Sequence, residues 1–325
     1  MKKKKLKLLD PMRDGPGVEK GEDTTPNLKF YFKQLGRKFW KLVSINLIML
    51  LQIVPLLLVF VVFTIGPKEP VQGDILYAPL LGAQVASPTS AGATLLSLFS
   101  GLNYSLPTRN SPVNWICAAL LLFHVITYGW QKVGSTYLMR NLVRGEGVFI
   151  ISDFFYAIKR NLKQGFILGL LDCIFCGVLI FNFFSLASMP ATGMNNFMYF
   201  ATVALVIVYF LMRFYMYLLL VTFNIKISKI FKNSLIFSVL GIKRNLMAVL
   251  GIAVMAALVL GLNFLLLQFN IAVGIIIPFL FFLAVSAFTY TYAAYPVIKR
   301  YMIDPVPAKK AESTVAENEQ EPDEA

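Results

Sequence analysis

The chain has 325 residues, 57% hydrophobic and 14% charged, with a formal net charge of +13 and a mean hydropathy of +0.68. A soluble domain carries about a quarter charged residues, so the composition excludes an ordinary soluble protein and points to a membrane, with the excess Lys and Arg placed beside anionic lipid rather than nucleic acid. Three cysteines, Cys117, Cys173 and Cys176, lie in apolar runs and form no disulfide framework, and a single histidine, His124, offers no metal cage.

In chain order, residues 1–38 read as a basic tail and surface segment. The first apolar run, 42–64, has no convincing small-residue cleavage site and reads as a membrane span rather than a signal peptide. Five more runs are long enough to cross about 30 Å of hydrocarbon: 114–136, 164–187, 197–222, 246–268 and 272–297. Only helices satisfy their own backbone groups in lipid, so all six are expected to be helical. The fold expected is an all-α bundle of six transmembrane helices occupying 39–300, with an outside loop at 65–113 and an acidic, disordered tail at 301–325.

Lys and Arg alternate between the connections. Twelve precede the first span, followed by two, six, none, five, none and four in successive gaps and the C-terminal tail; one, Arg213, lies inside a span. By the positive-inside rule both termini are cytoplasmic, which requires an even number of spans.

The basic connections carry amphipathic segments. Before span three, Ser152-Asp153 offers N-cap chemistry, while Phe154, Ile158 and Leu162 share one helical face. Before span five, Ser228 is the corresponding candidate cap. Both segments read as short interfacial helices on the cytoplasmic surface. The pentapeptide IKRNL occurs in both, at 158–162 and 242–246. Its apolar residues suit lipid while Lys159, Arg160, Lys163, Lys243 and Arg244 serve as anchors among anionic headgroups. The recurrence leaves open a parallel repeat of spans two–three and four–five, against coincidence in so biased a chain.

The outside loop is rich in Pro, and "SAGATLLSLFSGL" at 90–102 is too short to span once its small and polar residues are discounted. Asn103 begins a glycosylation triplet, a pattern common by chance.

Charge inside hydrocarbon is costly, so Asp172 and Arg213 are the principal candidate site. Asp172 lies about 13 Å and Arg213 up to about 20 Å from the basic surface, depths similar enough for an ion pair between spans three and four. The pair reads as a staple between helices or as part of a solute or proton path. Asn46, Gln52, Gln131, Asn182, Asn263 and Gln268 either line such a path or bond between helices. Gly165 and Gly169, followed by Gly177, give span three a small-residue face. Pro55 and Pro278 are expected to bend spans one and six, and Trp40 and Trp115 to mark interfaces. Cys173-x-x-Cys176 reads as core packing ahead of redox chemistry. The sequence contains no Walker A, H-E-x-x-H or G-x-S-x-G pattern and no acid–histidine cluster, so no enzymatic activity, metal or cofactor is expected.

Three stretches resemble the YesL family of bacterial membrane proteins. In 138–171 these are Leu142-Val143-Arg144, Gly145-Glu146-Gly147, Phe154-Phe155 and Arg160-Asn161-Leu162-Lys163-Gln164. In 213–246 they are Arg213-Phe214, Asn224 and Lys232-Asn233-Ser234-Leu235, and "GRKFWKLVSINLIMLL" resembles the family's opening segment. The long outside loop and the charged tails depart from the family pattern. The resemblance implies a multi-pass protein of the bacterial cytoplasmic membrane, encoded near genes for carbohydrate uptake and glycan degradation, with no catalytic residues to carry over. The expected function is therefore a non-enzymatic accessory of carbohydrate uptake or utilisation, with subunits of an ATP-driven carbohydrate transporter as possible partners. The alternative is a small-solute transporter or permease subunit with Asp172 and Arg213 near its path, although neither basic connection contains an E-A-A-x-x-x-G coupling segment.

Overall fold

The computed structural model describes residues 25–65, 112–268 and 277–304. The N-terminal basic segment before residue 25, most of the outside loop including 90–102 and Asn103, and the acidic tail beyond residue 304 lie outside the described residues. Eight α-helices make up the described chain: α1 (Leu28–Ile65), α2 (Pro112–Arg144), α3 (Ile150–Arg160), α4 (Leu162–Ala187), α5 (Gly193–Thr222), α6 (Ile227–Leu240), α7 (Ile242–Gln268) and α8 (Ile277–Ile298). A π-helical turn, Lys299–Ile303, follows. No strand occurs among the described residues. Helices α1, α2, α4, α5, α7 and α8 are long and apolar enough to cross a membrane, as expected of a multi-pass membrane protein.

The helices overrun the apolar stretches that identify them. Helix α1 starts fourteen residues before the expected span and is capped by Asn27, whose Oδ1 accepts from Phe30 N at 2.8 Å. Helix α2 continues eight residues past the expected end of span two, so Arg140 is a helical residue rather than part of a loop. It then stops sharply. Gly145 has φ +82°, and Glu146 N donates back to Asn141 O at 3.0 Å. This left-handed terminus closes the last turn where a side chain would strain the backbone. The described part of α8 runs from Ile277, so the bend expected at Pro278 falls at the edge of the described residues, and the proline inside this helix is Pro296.

Helix α2 lies centrally, packed along α1, α4, α5 and α8, while α7 rests mainly on α8. One apolar cluster centres on α5 and includes Tyr215, Leu218 and Leu219 with Ala294 and Ile298 of α8. A second joins Leu42 and Ile45 of α1 to Leu138 and Met139 of α2 and Phe288 of α8. Most of α7 faces outward, with Leu250, Leu258 and Phe264 exposed, as a lipid-facing helix requires.

The basic ends converge. Lys38 Nζ of α1 donates to Leu142 O near the end of α2. Arg140 Nη1 donates to Val221 O of α5 at 2.6 Å, and Arg244 Nη2 of α7 reaches Pro26 O at 3.3 Å. The bundle therefore has one basic end, formed by the start of α1, the end of α2, helices α3 and α6, and the start of α7.

The short helices differ from expectation in their caps. Helix α3 begins at Ile150 after Phe149. Asp153 lies inside it and accepts from Phe149 N at 2.8 Å, returning a carboxylate to the helix start. Phe154 is buried against α2, where a side chain on Gly134 would meet its ring. Ile158 is half-buried and Leu162 exposed, so the expected common face is graded. In α6 the residue before the helix is Lys226, and Ser228 does not cap it.

The two IKRNL copies also sit differently. In the first, the helix breaks at Asn161, between α3 and α4. In the second, the break is at Gly241, so the whole pentapeptide belongs to α7. The pattern of long, short and long helix recurs across α2–α4 and α5–α7, but α2 packs along α4 whereas α5 hardly touches α7. The element order repeats without the packing.

Candidate functional site

The sequence pairs Asp172 with Arg213, and the structure joins them. Asp172 lies on α4, fully buried, and Arg213 Nε of α5 is 3.0 Å from Asp172 Oδ1. The arrangement is larger than a pair. Tyr209, Arg213 and Tyr217 are spaced by four on α5 and form one stripe facing α4. Tyr209 Oη donates to Asp172 Oδ1 at 2.8 Å, and Tyr217 Oη donates to Oδ2 at 3.0 Å. From α2, Tyr128 Oη donates to Oδ2 at 3.2 Å while accepting from Arg213 Nη2. One turn along α4, Cys176 Sγ donates to Oδ1 at 3.6 Å.

An ionised carboxylate offers about four lone-pair positions. Asp172, with five donor groups around it, therefore has no acceptor position left unfilled, and those donors come from three helices. A buried carboxylate persists only when paired and hydrogen-bonded, and this one is both. Lys132 of α2 lies nearby, with Nζ 5.6 Å from the Tyr128 ring centroid, adding a second cation to the same region.

Below this centre α2 and α4 make close backbone contact. A Cβ added to Gly169 would lie 2.2 Å from Gly129 Cα, and one added to Gly129 would lie 2.1 Å from Gly165 O. The expected Gly165–Gly169 face is present, and Gly129 supplies its counterpart. Gly177 takes no part, having open space around it. This close approach brings Tyr128 within reach of Asp172.

The other polar candidates do not line one path. Gln52 of α1 and His124 of α2 form a clasp: Gln52 Nε2 donates to His124 O at 2.9 Å, and His124 Nδ1 lies 2.8 Å from Gln52 O. This clasp lies beside Pro55, whose missing N–H leaves the α1 ladder one donor short. Asn46 Oδ1 accepts from Ala284 N of α8 at 2.9 Å. Asn263 Nδ2 bonds within its own helix to Val259 O at 2.8 Å, Gln131 is buried, and Asn182 and Gln268 are exposed. Interhelical bonding thus accounts for Gln52 and Asn46. Trp40 and Trp115 are 80% and 75% exposed, as interface anchors must be.

Of the proposed surface anchors, Lys159, Arg160, Lys163 and Lys243 are exposed, while Arg244 is half-buried and bonded to Pro26 O. Among the described residues no group of three or more His, Cys, Asp or Glu side chains is arranged to hold a metal. The three tyrosines were not singled out from sequence, although the Tyr209–Arg213–Tyr217 spacing was the available signal, and Cys176, read there as core packing, donates to the carboxylate.

The family model described as "Protein of unknown function, DUF624" matches residues 112–183, covering α2, α3 and most of α4. No curated protein and no solved structure matches. The matched region contains Tyr128, Asp172 and the Gly129–Gly165–Gly169 contact, but not Arg213, Tyr209 or Tyr217.

Proposed function

We propose that this chain is a non-enzymatic component of a bacterial cytoplasmic membrane, with both termini inside, that assists carbohydrate uptake or utilisation through a partner such as a transporter subunit. The observation that carries the non-transport part of this reading is the saturated carboxylate of Asp172. A proton or solute site must exchange its partners during turnover, and the donors here belong to three packed helices. The YesL resemblance supports the carbohydrate setting, and the match to a family of undescribed function over 112–183 is compatible with it.

Affinity purification of the tagged full-length chain from glycan-grown cells tests this reading, together with carbohydrate uptake in a deletion strain. Recovery of transporter subunits or glycan-degrading enzymes and reduced uptake support it. Recovery of neither, with uptake unchanged, overturns it. Solute flux through vesicles containing only the purified chain, abolished by Asp172→Asn, would favour the transporter reading.

A further inference from the structure

The basic end holds a cavity of about 340 Å³ between the α3–α4 break and the end of α5. Arg160 closes α3, and Lys163 and Gln164 lie in the first turn of α4. Asn224, two residues beyond α5, lines the cavity from the other side, and Leu220 and Phe223 supply its apolar wall. Liquid water occupies about 30 Å³ per molecule, so the space accommodates a small hydrated anion or a headgroup.

Some cations of this end are held by protein acceptors. Lys38, Arg140 and Arg244 donate to carbonyls of neighbouring segments. Among the described residues no hydrogen bond or ion pair engages the side chains of Arg160, Lys163, Gln164 or Asn224. Two cations and two amides from separate segments thus surround one cavity without protein acceptors. Asn161 turns its Nδ2 to Ala157 O at 3.0 Å and does not cap α4, so the N–H groups of Leu162, Lys163 and Gln164, which precede the first α4 bond from Gly165 N to Asn161 O, add donors beside it.

We infer that this cavity binds a phosphate group, either the headgroup phosphate of an anionic phospholipid or a soluble phosphate. Guanidinium geometry matches two phosphate oxygens, and an ammonium supplies a compact second charge. Gln164 and Asn224 add neutral donors, and the absence of a carboxylate from the lining removes the repulsion that would oppose an anion. The apolar wall and exposed Leu162 suit the glycerol and acyl portion of a lipid. The site is thus a defined pocket within a face otherwise read as diffuse anchoring, and it does not depend on the carbohydrate reading.

Binding of phosphatidylglycerol and phosphatidylcholine to the full-length chain in neutral detergent, counted by native mass spectrometry, tests it. Inorganic phosphate serves as competitor and, separately, as a ligand in calorimetry. The combined Arg160→Gln and Lys163→Gln variant is expected to weaken binding at least about tenfold, while Lys159→Gln with Lys243→Gln, exposed cations outside the cavity, changes it less than about twofold. Gln164→Glu keeps both cations and is expected to weaken binding as the double variant does, so the test survives if that double variant fails to fold. Phosphatidylglycerol that inorganic phosphate does not displace supports the site with lipid as its source. Binding of inorganic phosphate, lost in the same variants, supports it with a soluble source. Equal losses in cavity and control variants, or no preference for phosphatidylglycerol over phosphatidylcholine together with no binding of inorganic phosphate, overturn it.

Discussion

Arg213 Nε lies 3.0 Å from Asp172 Oδ1, yet the two side chains are not interchangeable. Tyr209 and Tyr217 flank Arg213 on α5 and both donate to the carboxylate. A guanidinium at position 172 would offer those hydroxyls no acceptor. Exchanging the charges, Asp172→Arg with Arg213→Asp, is therefore expected to be at least as unstable as the worse single change, whereas the neutral pair Asp172→Asn with Arg213→Gln recovers part of the loss. Thermal unfolding in one detergent compares them. A fully stable exchange variant would show that the charges alone matter and the tyrosines do not.

Each tyrosine removed leaves one carboxylate position unfilled. Interhelical hydrogen bonds in membranes average about 0.6 kcal/mol and reach about 1.7. Tyr217→Phe and Tyr209→Phe should each lower stability within that range. Because both act on one carboxylate, their double variant should depart from additivity, as a double-mutant cycle would register.

The glycine contact gives a contrast within one helix. Gly169→Ala forces α4 away from Gly129 and is expected to cost about 1–3 kcal/mol. Gly177→Ala meets open space and should be neutral or stabilising by up to about 1 kcal/mol, since alanine is the better helix former. Equal melting temperatures for the two variants would argue against the close α2–α4 contact.

Arg140 holds the end of α5 through Val221 O and rests on the Tyr137 ring at 4.6 Å. Arg140→Met leaves that buried carbonyl without its donor, a loss of about 1–3 kcal/mol. The readout that locates the effect is hydrogen exchange. Protection should fall at the α5–α6 connection and remain elsewhere.

The six spans and the Asp172–Arg213 pair were legible because hydrocarbon imposes length and penalises unpaired charge, constraints visible in composition alone. The helix extensions were not. Residues 28–41 and 137–144 are polar enough to look like connections, but Asn27 caps the first and the left-handed Gly145 ends the second. Lys38 and Arg140 looked like ordinary inner-surface charge, yet each donates to the carbonyl of another helix. That pairing depends on which helix ends meet, a tertiary fact. The IKRNL copies misled for a related reason. Identical residues do not fix a break: Asn161 interrupts the first, whereas Asn245 of the second is buried in α7, accepting from Tyr215 Oη at 2.8 Å and donating to Ser238 O at 3.0 Å.

The claim on which the account rests is that Asp172 ties α2, α4 and α5 together. Its most direct test is the thermal unfolding of Asp172→Asn against the unaltered chain, purified in the same detergent. Breaking a buried pair by removing one partner costs about 3–5 kcal/mol, so the variant should melt well below the parent. A variant that melts with the parent would contradict the account and return Asp172 to the role of a site held open for a solute or a proton.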